Sequence, residues 1–381
     1  MSAPVVIVGA GLAGFGVARE LRKLDKQVPI RMVTADGGAF YSKPNLSNAL
    51  AWKKTPEQLV ATPREKVAAQ LGIEILDHVR ATHVLPDRQV LATGDGIVEY
   101  GKLVLAVGAQ PIRLPIEGSG AAEILSVNHL DDYAVFRARL DGRRRVAILG
   151  GGLIGCEFAN DLAGAGYQVD VFDVAPQPLG RLLPPKASAH FGAGLAAAGV
   201  RFHFTSSVVR VEKEGAGYVL VDARGNAFEA GLVLSAVGLR PETALARAAG
   251  LKTGRGIMVD GKLRTSDADI HAVGDCAEVG GLVLPFVLPI MQQARALAKT
   301  LAGEPTLVSY PAMPVVVKTP ACPAVVCPPP MGAAGEWREE ASGTGVRGVF
   351  EAADGKPLGF ALVGAATAEK QALAAQMPNW L

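Results

Sequence analysis

The sequence predicts an α/β protein with two Rossmann-like three-layer dinucleotide-binding domains and a small C-terminal α+β module. Three observations carry this. Gly9-Ala10-Gly11-Leu12-Ala13-Gly14 and Gly150-Gly151-Gly152-Leu153-Ile154-Gly155 each follow a β-branched run and open an apolar, Ala-rich stretch. Two later apolar runs both close in Ala-Val-Gly, at Gly108 and Gly238. Beyond residue 305 the texture changes to Pro-rich loops and short strands. The composition agrees: 49% hydrophobic residues, 45 Gly and 6% aromatics suit Val, Leu and Ala packed around tight turns.

Pro4-Val5-Val6-Ile7-Val8 and Arg145-Val146-Ala147-Ile148-Leu149 read as buried parallel strands, so each glycine triplet falls at a strand-to-helix turn. There the first two glycines allow a tight turn and close approach to a pyrophosphate. The third lets the helix pack on the strand, and free N–H groups at the helix start face the anion. After the first helix, Ile30-Arg31-Met32-Val33 gives a second strand ending in Thr34-Ala35-Asp36. A Rossmann unit places a ribose-binding carboxylate at about this distance, although Asp36 also reads as a turn aspartate before Gly37-Gly38. Val169-Asp170-Val171-Phe172-Asp173 repeats the pattern in the second unit with no Arg or Lys beside Asp173, which favours a 2′-hydroxyl over a 2′-phosphate. Arg181 is the nearest downstream base and reads as a loop residue.

Leu103 to Ala109 and Leu232 to Gly238 read as the closing strands of the two units, and Ile270-His271-Ala272-Val273-Gly274-Asp275 delivers Gly-Asp at a strand end. Pro289 to Leu301 reads as a helix stopped by Gly303 and Pro305. Val315 to Val317, Gly345 to Val349 and Gly359 to Val363 read as strands of the last module.

A net charge of +2 argues against nucleic acid or an anionic membrane as a partner. The chain enters a strand too soon for a signal peptide, and the uncharged tract near Gly280 to Ala294 is interrupted by Pro285, Pro289, Gln292 and Gln293. The expectation is a cytoplasmic monomer or weak homodimer.

The two glycine turns, the two Ala-Val-Gly endings and Thr265-Ser266 followed by Ile270-His271-Ala272-Val273-Gly274-Asp275 resemble the pyridine-nucleotide-dependent flavoprotein reductases of glutathione-reductase-type fold. The resemblance covers essentially the whole chain. It implies an FAD domain in two parts, 1–112 and 241–305, an inserted NAD domain at 113–240 and an interface module at 306–381. Longer strings, Tyr41-Ser42-Lys43-Pro44, Gly155-Cys156-Glu157-Phe158-Ala159-Asn160-Asp161-Leu162, Ala236-Val237-Gly238-Leu239-Arg240-Pro241 and Val317-Lys318-Thr319-Pro320, are similar to the branch of that family that passes electrons from NADH to rubredoxin.

Carried over, the resemblance implies FAD contacts at Gly9, Ala10, Gly11, Leu12, Ala13, Gly14, Thr34, Ala35, Asp36, Lys43, Ala81, Gly108, Glu157, Asp275, Val287 and Lys318. It implies NADH contacts at Gly150, Gly152, Leu153, Ile154, Gly155, Asp173 and Gly238. Asp275 would meet the ribityl chain. Lys43 would steady negative charge on the reduced ring, with Glu157 pairing to it. Lys318 approaches the flavin or a carrier, or is a solvated loop lysine. The implied acceptor is rubredoxin or a ferredoxin, supplying an oxygenase such as an alkane hydroxylase.

No cysteine lies in Tyr41 to Leu50, where disulfide reductases, oxidases and peroxidases of this fold carry theirs. That weakens an NADH oxidase or peroxidase, and a nucleotide-sensing flavoprotein is the remaining alternative. Cys156 and Cys276 read as structural, Cys322 and Cys327 as a structural or incidental pair, and no spacing indicates a metal site.

Overall fold

A computed structural model describes residues 3–381. Val5–Val8 lies at the centre of a five-stranded parallel sheet, flanked by Ile30–Val33 and then Glu74–Leu76 on one side, and by Lys102–Leu105 and then Ile270–Ala272 on the other. All four residues of Val5–Val8 are buried, as a central parallel strand covered on both faces requires. The helix Leu12–Leu24 buries Ala13, Phe15, Val17, Ala18 and Leu21 against the sheet and places Arg22 and Lys23 at its negative end.

The second unit repeats this plan. Its parallel sheet runs Val200–Phe204, Gln168–Asp173, Arg145–Leu149 and Leu232–Ser235. A three-stranded antiparallel meander, from Val208–Glu214 to Ala227–Ala230, packs on the Ala147, Leu149 and Phe172 face. The chain leaves the first sheet after Lys102–Leu105, builds the second, and returns to lay Ile270–Ala272 against Lys102–Leu105. Outgoing Ala109–Pro111 and returning Leu239–Pro241 pair antiparallel.

The last module is a five-stranded antiparallel sheet ordered Val315–Val317, Ala324–Cys327, Pro357–Val363, Gly345–Glu351 and Glu336–Ser342. Its Val317, Ala324, Val326 and Val363 share one core with Val146, Ile148 and Phe158 of the second unit and with Leu46 and Ala49 of the first. No described helix is long and apolar enough to cross a membrane.

Several elements differ from expectation. The run from Leu103 to Ala109 is two strands, because Gly108 at φ +71° turns the chain out of the parallel sheet. The run from Leu232 stops at Ser235, before Gly238 at φ +116°. The late helix starts at Val287, two residues before Pro289, which the first helical turn tolerates. Glu336–Ser342 gave no signal because it is an edge strand that buries no residue fully.

His271, on Ile270–Ala272, is 2% exposed and its Nδ1 has no hydrogen-bond partner. Burial, aided by the Lys102 charge, pushes its pKa down from 6.5 to about 4. The unfolded chain therefore binds the extra proton first as the pH falls. Stability that is full above pH 6.5 should decline through the window down to about pH 4, by roughly 3 kcal/mol from this group. Urea unfolding of wild type and His271→Leu at pH 7 and pH 4.5 isolates the effect: the gap between the two proteins should narrow at the lower pH, and a constant gap rules the linkage out.

Candidate functional site: a cavity shared by two glycine turns

The two turns follow one steric rule. A Cβ on Gly9 would stand 2.3 Å from the Ala106 carbonyl oxygen, and one on Gly150 would stand 2.6 Å from that of Ala236. A Cβ on Gly14 would meet the Gly9 carbonyl oxygen at 1.9 Å, and one on Gly155 would meet that of Gly150 at the same 1.9 Å. The first and third glycines are thus fixed by contact with the protein itself. The middle ones, Gly11 and Gly152, have nothing within 4 Å of the same position. Each is also the N-cap of its helix, without a side-chain cap, and neither first turn contains an acid. Open space and unpaired N–H groups at one point are what a ligand phosphate requires.

A cavity of about 730 Å³ lies between the units. Gly11, Leu12, Ala13, Lys43, Gly108, Asp275 and Val287 line it from the first unit, Leu153, Ile154 and Glu157 from the second, and Val316 and Lys318 from the last module. Lys43 begins the short 3-10 helix Lys43–Asn48. Burial holds its ammonium below the ordinary lysine range, against the opposing pull of Asp275 and Asp132. Burial likewise pushes the Asp275 carboxyl up, with Lys43 pulling it down. Asp275 Oδ1 is buried without a partner, although a buried polar atom ordinarily has one. A dinucleotide with phosphates at Gly11 and a hydroxylated chain at Asp275 supplies what these groups lack, and FAD fits that description.

The pairing expected between Lys43 and Glu157 is not formed. Glu157 faces Lys318 instead: one carboxylate oxygen accepts from the Lys318 backbone N–H at 2.9 Å, and the other from its ammonium and from the Ser47 hydroxyl at 2.6 Å. The geometry decides it. Glu157 and Lys318 meet across the shared core, so the Lys318 ammonium is committed to a carboxylate only 2% exposed. Two further residues of the helix Leu153–Gly164 continue the contact. Asn160 accepts from the Ala321 N–H, and Asp161 accepts from the Leu50 and Ala51 N–H groups at 3.0 and 2.7 Å. Burial pushes the Asp161 carboxyl up to about 6 in spite of those two donors.

The remaining expected residues lie outside the cavity wall. Asp36 Oδ1 accepts from Thr34 Oγ1 and the Gly38 N–H, and Ala35 beside it is exposed. Backbone bonds from Val79 to Thr34 and from His78 to Asp36 bring the segment leading to Ala81 alongside. Gly9, Ala10 and Gly14 form the body of the first turn, Gly150 and Gly155 that of the second. Asp173 accepts from the Ala175 N–H at 2.7 Å and from the Gly151 N–H, which fixes its carboxylate over the second turn. Gly238 lies under Ile112 at the crossing strands.

Four cysteines are buried and free. Burial pushes the Cys276 thiol up to about 12, Cys327 to about 11, and Cys156 and Cys322 upward too, so none is poised as a thiolate. Among the described residues no cluster of His, Cys, Asp or Glu is arranged to hold a metal.

Fold and cavity define an enzyme of the two-dinucleotide class. A family model described as pyridine nucleotide-disulphide oxidoreductase matches residues 3–299, and the chain belongs to that family. A second, described as rubredoxin binding C-terminal domain, matches residues 307–377. The chain is 49% identical over 376 residues, 98% of each chain, to a rubredoxin-NAD(+) reductase of Alcanivorax borkumensis. It is 47% identical over 380 residues to one of Acinetobacter baylyi, covering 97% of this chain and 96% of that one. A crystal structure of a ferredoxin reductase from Rhodopseudomonas palustris superposes with a TM-score of 0.89 at 29% identity, covering 99% of this chain and 96% of the other.

Sequence reasoning missed Ser47 and Gln293. Nothing in the sequence around Ser47 marks it, since its role depends on a residue 110 positions away. Gln293 did leave a trace, a polar residue in phase with Ile290 and Leu297 on an apolar helical stripe.

Lys318→Ala should cost about 3 kcal/mol, because it leaves a carboxylate buried without its counter-charge. Adding Glu157→Gln should recover most of that loss. Chemical denaturation of the two variants beside the wild type checks this; a loss below about 1 kcal/mol in the single variant would show the pair to be energetically idle.

Proposed function

We propose that this chain carries electrons from NADH through FAD to rubredoxin. FAD and NADH are the cofactors. The observation that carries the reading is one cavity walled by both glycine-turn helices and by the module that matches the rubredoxin-binding description. Bound FAD would supply the chemistry that links a two-electron donor, NADH, to a one-electron acceptor. The chain's own work is placement. The turn at Gly9 to Gly14 and the Asp275 carboxylate hold FAD, the turn at Gly150 to Gly155 and Asp173 hold NADH, and Leu153 and Ile154 exclude water between them. Lys43, partly buried and uncommitted to Glu157, supplies positive charge where the ring becomes electron-rich. We assign the domains as FAD at 1–112 and 241–305, NAD at 113–240 and the carrier interface at 306–381.

Buried, high-pKa thiols and the cysteine-free stretch from Tyr41 to Leu50 favour direct transfer from the flavin over a disulfide route. The reading extends to the cytoplasm as compartment and to an oxygenase such as an alkane hydroxylase as the destination of the electrons.

Purified protein should be yellow, with one FAD per chain. After anaerobic reduction by NADH, stopped-flow mixing with rubredoxin, ferredoxin, oxygen, peroxide and a disulfide should show reoxidation at least tenfold faster by rubredoxin than by any other. Ferredoxin as the fastest acceptor would move the assignment to a ferredoxin reductase, and peroxide or disulfide would remove the one-electron reading.

NADH should outperform NADPH, since Asp173 accepts from a ribose hydroxyl and repels a phosphate. Val174 is 73% exposed, so a guanidinium placed there reaches solvent without strain. The double change Asp173→Ser with Val174→Arg should lower the NADH-to-NADPH ratio of kcat/KM at least tenfold, about 1.4 kcal/mol. Equal ratios in wild type and variant would show that Asp173 does not read the ribose.

A further inference from the structure

We propose that Gln293 is a positioning residue for the flavin site, holding the turn that presents Asp275; the inference rests on the FAD reading above. Gln293 lies on the helix Val287–Leu301 at 2% exposure. Its Oε1 accepts from the Gly274 N–H at 2.6 Å, and its Nε2 donates to the Tyr310 hydroxyl at 2.8 Å. An apolar side chain would suit the surrounding core better, because an amide buried without partners costs free energy and gains none. Two short, fully buried bonds explain why a glutamine stands there.

What it grips is the peptide next to Asp275. Gly274 has φ +80°, and a Cβ on it would stand 2.7 Å from the Cβ of Ala13 in the first glycine turn. Gly274 is therefore pressed against the phosphate-binding turn on one side and pinned by Gln293 on the other. The buried Oδ1 of Asp275 can meet a ligand only where that peptide points it. Rotation of the peptide would shift Asp275 relative to Lys43 and to Gly11 together.

The grip is anchored further out. Tyr310 is fully buried, its N–H donates to a main-chain oxygen of Leu381 at 3.0 Å, and its own carbonyl accepts from the Trp380 N–H at 2.7 Å. A hydrogen-bonded series thus runs from Trp380 and Leu381 through Tyr310 and Gln293 to Gly274. None of Gln293, Tyr310, Trp380 and Leu381 lines the cavity, so their effect on FAD would pass through Gly274 and Asp275.

The test is the dissociation constant of FAD from apoprotein, read by flavin fluorescence well below the melting temperature, together with the circular dichroism of the bound flavin. Gln293→Met, similar in size and lacking both bonds, should bind FAD at least tenfold more weakly and alter the dichroism. Gln293→Glu, whose protonated carboxyl repeats the accept-and-donate pattern, should stay within threefold of wild type at pH 6 and weaken as the pH rises, since an anion then stands beside Asp275. Tyr310→Phe, which removes only the outer bond, should weaken binding two- to fivefold. Wild-type affinity in Gln293→Met overturns the proposal, whatever that variant's melting temperature. If that variant does not fold, wild-type affinity at every pH in both Gln293→Glu and Tyr310→Phe overturns it equally. A wild-type chain that takes up no FAD defeats the functional reading and this inference together.

Discussion

Everything at the site depends on how the buried carboxylate of Glu157 is satisfied. It belongs to the second unit, yet its partners are Ser47 of the first and Lys318 of the last module. A carboxylate so deep in a shared core is tolerated only when charge and hydrogen bonds both arrive. Both do, from parts of the chain 110 positions before it and 161 after it. Asn160 and Asp161, one turn further along the helix, extend the contact to Ala321 and to Leu50 and Ala51. One helical face therefore registers three modules, and the cavity lies where they meet.

That registration gives the duplicated glycine turns their meaning. Each alone has the backbone geometry of a phosphate cradle, with contact to carbonyl oxygens fixing its outer glycines and leaving the middle one open. Both turns run into helices whose first residues, Leu12 and Ala13 in one and Leu153 and Ile154 in the other, line the same cavity, which is where the proposed FAD and NADH would meet. Redox chemistry between bound cofactors needs placement and charge more than it needs reactive side chains. The chain's side chains match that need: its thiols are buried with their pKa values pushed up, and Lys43 brings a cation to the cavity wall that is not paired with Glu157.

The sequence was most legible where a local rule sufficed. Arg145–Leu149 and Ile30–Val33 begin and end where their β-branched runs do, and both glycine turns fall between strand and helix. Strand ends set by a left-handed glycine were harder, since the apolar run continues past the turn at Gly108 and at Gly238. The edge strand Glu336–Ser342 was illegible because no face of it is buried enough to impose alternation.

By itself, then, the sequence determined two Rossmann-like units, their glycine turns, the acids at their strand ends and the absence of a cysteine from the stretch that holds Lys43. These follow from steric and periodic rules that act over a dozen residues. Only the tertiary structure decided that Glu157 takes Lys318 instead of Lys43, that Ser47 completes that contact, and that Gln293 holds the Asp275 turn. Each of those depends on which side chains meet across a core assembled from distant segments, and hydrogen bonds between residues 19 to 161 positions apart leave no period in the chain to read.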